Sequence, residues 1–81
     1  MSPTILRVEG YRFYFYSSDR PEPPHVHVVR GGSNAKFWLD PVELVASYGF
    51  NVRELNRIEE LVRENQARLL EAWRKYFGEE V

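Results

Sequence analysis

The sequence contains no cysteine. That excludes disulfides, thiol catalysis and zinc sites of the cysteine type, and it fits a reducing compartment. It also lacks an excess of charge. Eleven Lys and Arg stand against twelve Asp and Glu, so the chain offers nucleic acid no basic tail and any basic patch must be local. Long hydrophobic runs are missing too. No apolar stretch approaches the ~20 residues that a bilayer crossing needs, and no membrane partner is expected. Met1-Ser2-Pro3-Thr4 has no basic region leading into an apolar run, so no secretory leader is expected and the cytoplasm is the expected compartment. Internal repeats and low-complexity segments are likewise absent.

At 81 residues there is room for a single domain, 1–81. A chain of this size buries only about 60–65% of the surface its unfolded form exposes, so its stability is marginal. Small folds are usually reinforced by disulfides, metals or oligomerisation. With disulfides excluded, a metal or a second chain remains. The 43% of hydrophobic residues and 15% of aromatics are too many for a disordered chain.

Two β-hairpins are legible in the first half. Thr4 to Val8 and Tyr11 to Tyr16 are rich in β-branched and aromatic residues and flank Glu9-Gly10, a two-residue loop. This register sets Val8 against Tyr11, Leu6 against Phe13 and Thr4 against Phe15, with the apolar members on one face. Residues 17–24 form a proline-rich loop of extended backbone. His25 to Arg30 then alternates strictly, Gly31-Gly32 turns, and Asn34 to Leu39 returns. Here Val28 faces Ala35, Val26 faces Phe37, His27 faces Lys36 and His25 faces Trp38.

Asp40-Pro41 is a turn signal. From Val42 to Gly49, alternation of Leu44, Ala46 and Tyr48 predicts a short edge strand. A short helix capped by Asp40 is the competing assignment. From Asn51 the period changes to that of a helix: Leu55, Ile58, Leu61, Val62, Leu69, Leu70, Trp73 and Phe77 share a stripe. Asn51 and Glu54 make a capping box, and Gly78 ends the helix. The stripe weakens at Asn65-Gln66, where a bend is expected. The expected fold class is therefore α+β: an antiparallel β-sheet of four to five strands, two hairpins plus the edge strand, packed on one long C-terminal helix over roughly 52–77, with Trp73 buried against the sheet.

With the helix on the apolar face, the opposite face collects Arg7, Arg12, Tyr14, Tyr16, His25, His27, Lys36 and Trp38. Solvent asks a sheet for polar groups, but two tyrosines and a tryptophan exceed that need. They are either cross-strand pairs that steady the sheet or anchors for a partner, a role that favours Tyr, Trp and Arg. Single-stranded RNA would stack on the same residue types. The pair His25 and His27, at i and i+2 on a strand, points one way, with backbones about 7 Å apart. Such imidazoles serve as metal ligands, or as acid and base in phosphodiester chemistry with Lys36 or Arg12 steadying the phosphate. A metal would need a third ligand, for which Asp19 and Glu22 are nearest. The plainer alternative is two polar side chains on a half-exposed strand, one stacked on Trp38. Ser17 and Ser18 lack the flanking glycines of a nucleophile elbow. The mixed charges of Arg53, Glu54, Arg57, Glu59, Glu60, Arg63, Glu64 and Arg68 read as a solvated helix face.

Pro23-Pro24-His25-Val26-His27-Val28, Ala35-Lys36-Phe37-Trp38-Leu39-Asp40-Pro41, Gly49-Phe50, Asn65 and Leu70-x-x-Trp73-x-x-x-Phe77 together resemble a family of small bacterial proteins known as domain of unknown function 4160. The likeness extends over essentially the whole chain. It implies a small, free-standing prokaryotic protein, often encoded beside another short protein in an arrangement like that of toxin–antitoxin pairs; it implies no catalytic residue. The expected function is accordingly a protein-binding module, one half of such a pair, with Arg12, Tyr14, Tyr16, His25, His27, Lys36 and Trp38 as its binding face. A small ribonuclease-like or metal-binding protein using His25 and His27 is the alternative. The expected partner is a second protein or another copy of the chain, with RNA as a further candidate. No cofactor is required beyond a divalent metal, should the two histidines ligate one.

Overall fold

A computed structural model describes residues 4–16 and 21–78. Five strands, β1 (Thr4–Val8), β2 (Tyr11–Tyr14), β3 (His25–Arg30), β4 (Ser33–Leu39) and β5 (Val42–Tyr48), precede two helices, α1 (Val52–Glu64) and α2 (Gln66–Phe77). The strands form one antiparallel meander in sequence order. Consecutive strands are thus neighbours throughout the sheet, and the fold is α+β.

Turn chemistry sets the first register. Glu9 and Gly10 both have positive φ, 53° and 83°, the pair of values a two-residue hairpin turn demands. Val8 pairs with Tyr11 and Leu6 with Phe13, as expected, but Thr4 pairs with Tyr14 and not with Phe15. The register slips between Thr4 and Leu6 because β2 ends at Tyr14. Phe15 is drawn off the ladder and fully buried, with its ring 5.3 Å from Trp73, 5.8 Å from Tyr76 and 6.3 Å from Phe77. The β3–β4 hairpin has the expected register throughout: His25 with Trp38, Val26 with Phe37, His27 with Lys36 and Val28 with Ala35. Residues 42–48 are a strand. The Asp40-Pro41 peptide in the turn before it is cis.

The long helix is interrupted. Asn65 leaves helical geometry (φ −110°, ψ 14°), and its side chain donates from Nδ2 to the Leu61 carbonyl at 2.8 Å. The Leu61 carbonyl thus accepts from both the main-chain N–H and the side chain of Asn65, a local side-chain bond of the kind that bends helices. The adjacent Gln66 donates from Nε2 to the Leu39 carbonyl at 2.7 Å, so the break is also where the helices are tied to the end of β4. The bend expected at 65–66 is therefore a full division into two helices. At the other end, the Asn51–Glu54 capping box is present in both directions.

Both helices cover one face of the sheet. Phe13, Val26, Val28, Phe37 and Leu39 meet Ile58, Val62 and Leu69, all fully buried. Each such side chain contributes roughly 1.5–3 kcal/mol by leaving water. Trp73 is buried among them.

Candidate functional site

The β2–β3–β4 register determines which side chains share the uncovered face. Tyr14, His27, Lys36 and Ala46 lie in one row across β2 to β5; His25, Trp38 and Glu43 lie in the next. Along these rows the rings and cations touch in sequence. The Arg12 guanidinium lies 4.6 Å from the Tyr14 ring centre and donates to Thr4 Oγ1 at 3.3 Å. Tyr14 stacks on His27 (5.4 Å, 26°). Tyr16 meets His27 edge-on at 4.6 Å and shares a hydrogen bond with Tyr14, hydroxyl to hydroxyl at 3.2 Å. Lys36 Nζ stands 5.0 Å over the Trp38 ring. Contacts of this kind between a cation and an aromatic face each contribute about 0.5–1 kcal/mol when exposed.

The proline segment completes the arrangement. Leu39 N donates to the Pro24 carbonyl at 3.1 Å, which fastens the segment to the end of β4. Glu22 is thereby held over the face, where its Oε1 accepts from Lys36 Nζ at 2.6 Å. Pro23 offers its carbonyl to His25 Nδ1 at 2.9 Å. A carbonyl can only accept, so Nδ1 carries the ring proton. Glu22 Oε1 is 3.6 Å from the same nitrogen, outside hydrogen-bond range. Glu22, with Asp19 the nearest candidate for a third metal ligand, has Lys36 as its close contact.

Two expected face residues are not at the surface. His25 is fully buried and Tyr14 is 7% exposed. His25 begins its strand at the edge of the region that α2 crosses, and Trp73 closes over it at 5.1 Å between ring centres, with Trp38 at 5.6 Å and His27 at 5.1 Å. Its strand parity is that of the open face, yet its surroundings are those of the core. Tyr14 is covered by its own neighbours, Arg12, Tyr16 and His27. The residues left to meet solvent are Tyr16, at 43% exposure, and the half-buried Arg12, His27, Lys36 and Trp38.

Chemically this favours contact over catalysis. An acid–base pair must reach its substrate, and with His25 enclosed only His27 is at the surface. Among the described residues no group of three His, Asp or Glu side chains is placed to hold a metal; Asp19, Ser17 and Ser18 lie outside the described residues. Sequence reading missed Tyr48 as a member of this face. It pairs with Asn34 and is 71% exposed. Its side was hidden because β5 carries one extra residue, Val45, where the register shifts between Lys36 and Phe37, and composition does not mark a bulge. The part of Trp73 in roofing His25 was also missed, since its helical spacing pointed only to the core.

No helix among the described residues is long and apolar enough to cross a membrane. No curated protein and no solved structure matches the chain. Residues 10–74, from the first hairpin turn to the C-terminal half of α2, match a family described as Domain of unknown function (DUF4160), and because that match takes in most of the chain, the protein belongs to this family.

Proposed function

We propose that the protein is a small partner-binding module, one half of a two-gene, toxin–antitoxin-like regulatory pair, and that it engages a protein partner through the open sheet face. The observation that carries this is the run of ring and cation contacts from Arg12 through Tyr14 and His27, with Tyr16 beside them, and on by way of His25 to Trp38 and Lys36 on the face the helices leave uncovered. Side chains already packed against one another lose little freedom when a partner arrives, which favours affinity. Tyr, Trp and Arg are the residue types that anchor interfaces. An RNA partner has less support, because phosphate binding needs several free cations and Lys36 is already engaged by Glu22.

The test is co-expression with any short protein that its gene neighbourhood encodes, purification of the complex, and calorimetric titration of face variants. Trp38→Ala and Tyr16→Ala should each weaken binding by at least about 30-fold, the equivalent of the ~2 kcal/mol of a hot spot. Undiminished binding by both variants, or RNA in place of protein in the purified complex, would refute the proposal.

A further inference from the structure

The first hairpin carries a pair of charges that its own chain leaves uncompensated. Arg7 of β1 and Arg12 of β2 are direct cross-strand partners, one step from the closing pair Val8 and Tyr11. Both project onto the open face, because the residues flanking them, Leu6 and Val8, Tyr11 and Phe13, pack into the core. Directly opposite residues have Cβ atoms about 4.5–5.5 Å apart, and like charges set so are destabilising. Other cations of the molecule are treated differently. Lys36 is paired with Glu22 at 2.6 Å, Arg57 with Glu60 at 3.0 Å and Arg63 with Glu59 at 2.9 Å. Neither Arg7 nor Arg12 is ion-paired to a carboxylate among the described residues. Arg12 is nevertheless held in place. Its guanidinium lies 4.6 Å from the Tyr14 ring centre and donates through Nη1 to Thr4 Oγ1 at 3.3 Å. Most of its five N–H donors are left for a ligand. Arg7 beside it is exposed, and the next residue of the row, Val29, is apolar and half-buried.

We infer that Arg7 and Arg12 form an oxyanion site that takes a carboxylate, presented by an acidic side chain of the protein partner. The inference rests on the partner-binding reading and gives the chemistry of one of its anchors. Guanidiniums match a carboxylate with charge-assisted, bidentate hydrogen bonds. An anion held between the two arginines replaces their repulsion with attraction to a shared counter-charge. The choice of a carboxylate over nucleic-acid phosphate follows from number. A polynucleotide presents a row of charges and needs a row of cations to meet it. The other cation of this face among the described residues, Lys36, already holds a carboxylate. One acidic residue asks for no more than the arginine pair supplies.

The arrangement makes stability and binding move in opposite directions. Arg7→Glu sets an anion opposite Arg12, so the isolated protein should melt about 1–8 °C higher at low salt. Binding is probed with a blocked tetraglutamate peptide, followed by NMR through the arginine Nε–H and β1–β2 amide signals. The peptide should bind in the millimolar range and its tetraglutamine counterpart should not. Arg7→Gln and Arg12→Gln should each weaken it about 10-fold, equivalent to the ~1.4 kcal/mol of one decade, and Arg7→Glu should abolish it. In the complex with the partner protein the same two Gln variants should each cost about 10-fold, with an unchanged circular dichroism spectrum. A lower melting temperature in Arg7→Glu, or peptide binding that all three variants leave unchanged, would overturn the site. Tighter binding of an oligouridylate through the same arginines would overturn the carboxylate assignment. Full partner affinity in both Gln variants, with loss in Trp38→Ala, would overturn this inference and leave the partner-binding reading standing. Undiminished partner binding by Trp38→Ala and Tyr16→Ala would refute that reading instead, and the peptide titration would still decide the site.

Discussion

Replacing Trp73 tests the join between the core and the open face. Its side chain is 1% exposed and its ring lies 4.3 Å from Phe77, 5.3 Å from Phe15 and 5.1 Å from His25. Truncation to Ala removes the largest side chain of the core, and such buried aromatic truncations cost about 3–5 kcal/mol. A domain of this length has only about 4–12 kcal/mol in total, at 0.05–0.15 kcal/mol per residue. Trp73→Ala should therefore lower the melting temperature by at least about 12 °C, at 4–8 °C per kcal/mol, or prevent folding altogether. Trp73→Phe separates volume from polarity. The indole Nε1–H is buried without a hydrogen-bond partner among the described residues, and leaving such a donor unsatisfied costs about 1–3 kcal/mol. Phenylalanine leaves a small void but removes that donor, so the two effects oppose each other, and a net loss of no more than about 1–2 kcal/mol is expected. Urea denaturation of the three proteins measures both steps. If Trp73→Ala melts within a few degrees of wild type, Trp73 is peripheral. If Trp73→Phe is as damaging as Trp73→Ala, the indole N–H has a role that packing alone does not supply.

Three further perturbations follow from single sites. Glu9 at the first hairpin turn forms a bidentate ion pair with Arg57 of α1, and the guanidinium's hydrogen bonds hold the Glu9 carboxyl below the usual value of 4.5. Its contribution is therefore present above pH 4.5 and lost as the pH falls through the lower folded-state value. A melting-temperature profile from pH 7 to 3 should drop in that acid range by less in Glu9→Gln than in wild type, and an identical drop in both would refute the linkage. Gly49 has φ +89° and lies against Ser33, where an added Cβ would collide with the serine side chain and sit 3.2 Å from its Cα. Gly49→Ala should cost at least about 1–2 kcal/mol from the left-handed backbone alone, and calorimetry showing a neutral change would place the turn elsewhere. His25→Ala should destabilise by roughly 2–4 kcal/mol as a core truncation, measured by denaturation. Full stability with loss of biological effect would instead mark it as a functional group.

The fold was largely legible because local chemistry and distant packing agreed in most of it. Glu9-Gly10 and Gly31-Gly32 specify turns, the alternation of His25 to Arg30 specifies a face, and the β3–β4 register follows without ambiguity. Where the expectation failed, a tertiary contact had outweighed a local preference. Phe15 left the ladder for the ring cluster of α2, and no local feature of residues 11–16 announces that. Asn65 weakened the apolar stripe visibly, but only its bond to Leu61 and the Gln66 bond to Leu39 turn a weak spot into the end of one helix and the start of another.

The same reasoning explains why the site was half legible. Strand parity correctly grouped Arg12, Tyr14, His27, Lys36 and Trp38, because parity is a local property that a single turn fixes. Burial is not local: it depends on what crosses the strand, and His25 is enclosed by Pro23 and by Trp73, 48 positions further along the chain. A histidine pair read from i, i+2 spacing is thus divided by the fold into two roles. His27 faces solvent among Tyr14, Tyr16 and Lys36, while His25 ties the proline segment to α2 beneath it. That division favours a face built for contact over a centre built for acid–base chemistry, since the imidazole that chemistry would need second is the one that packing has taken.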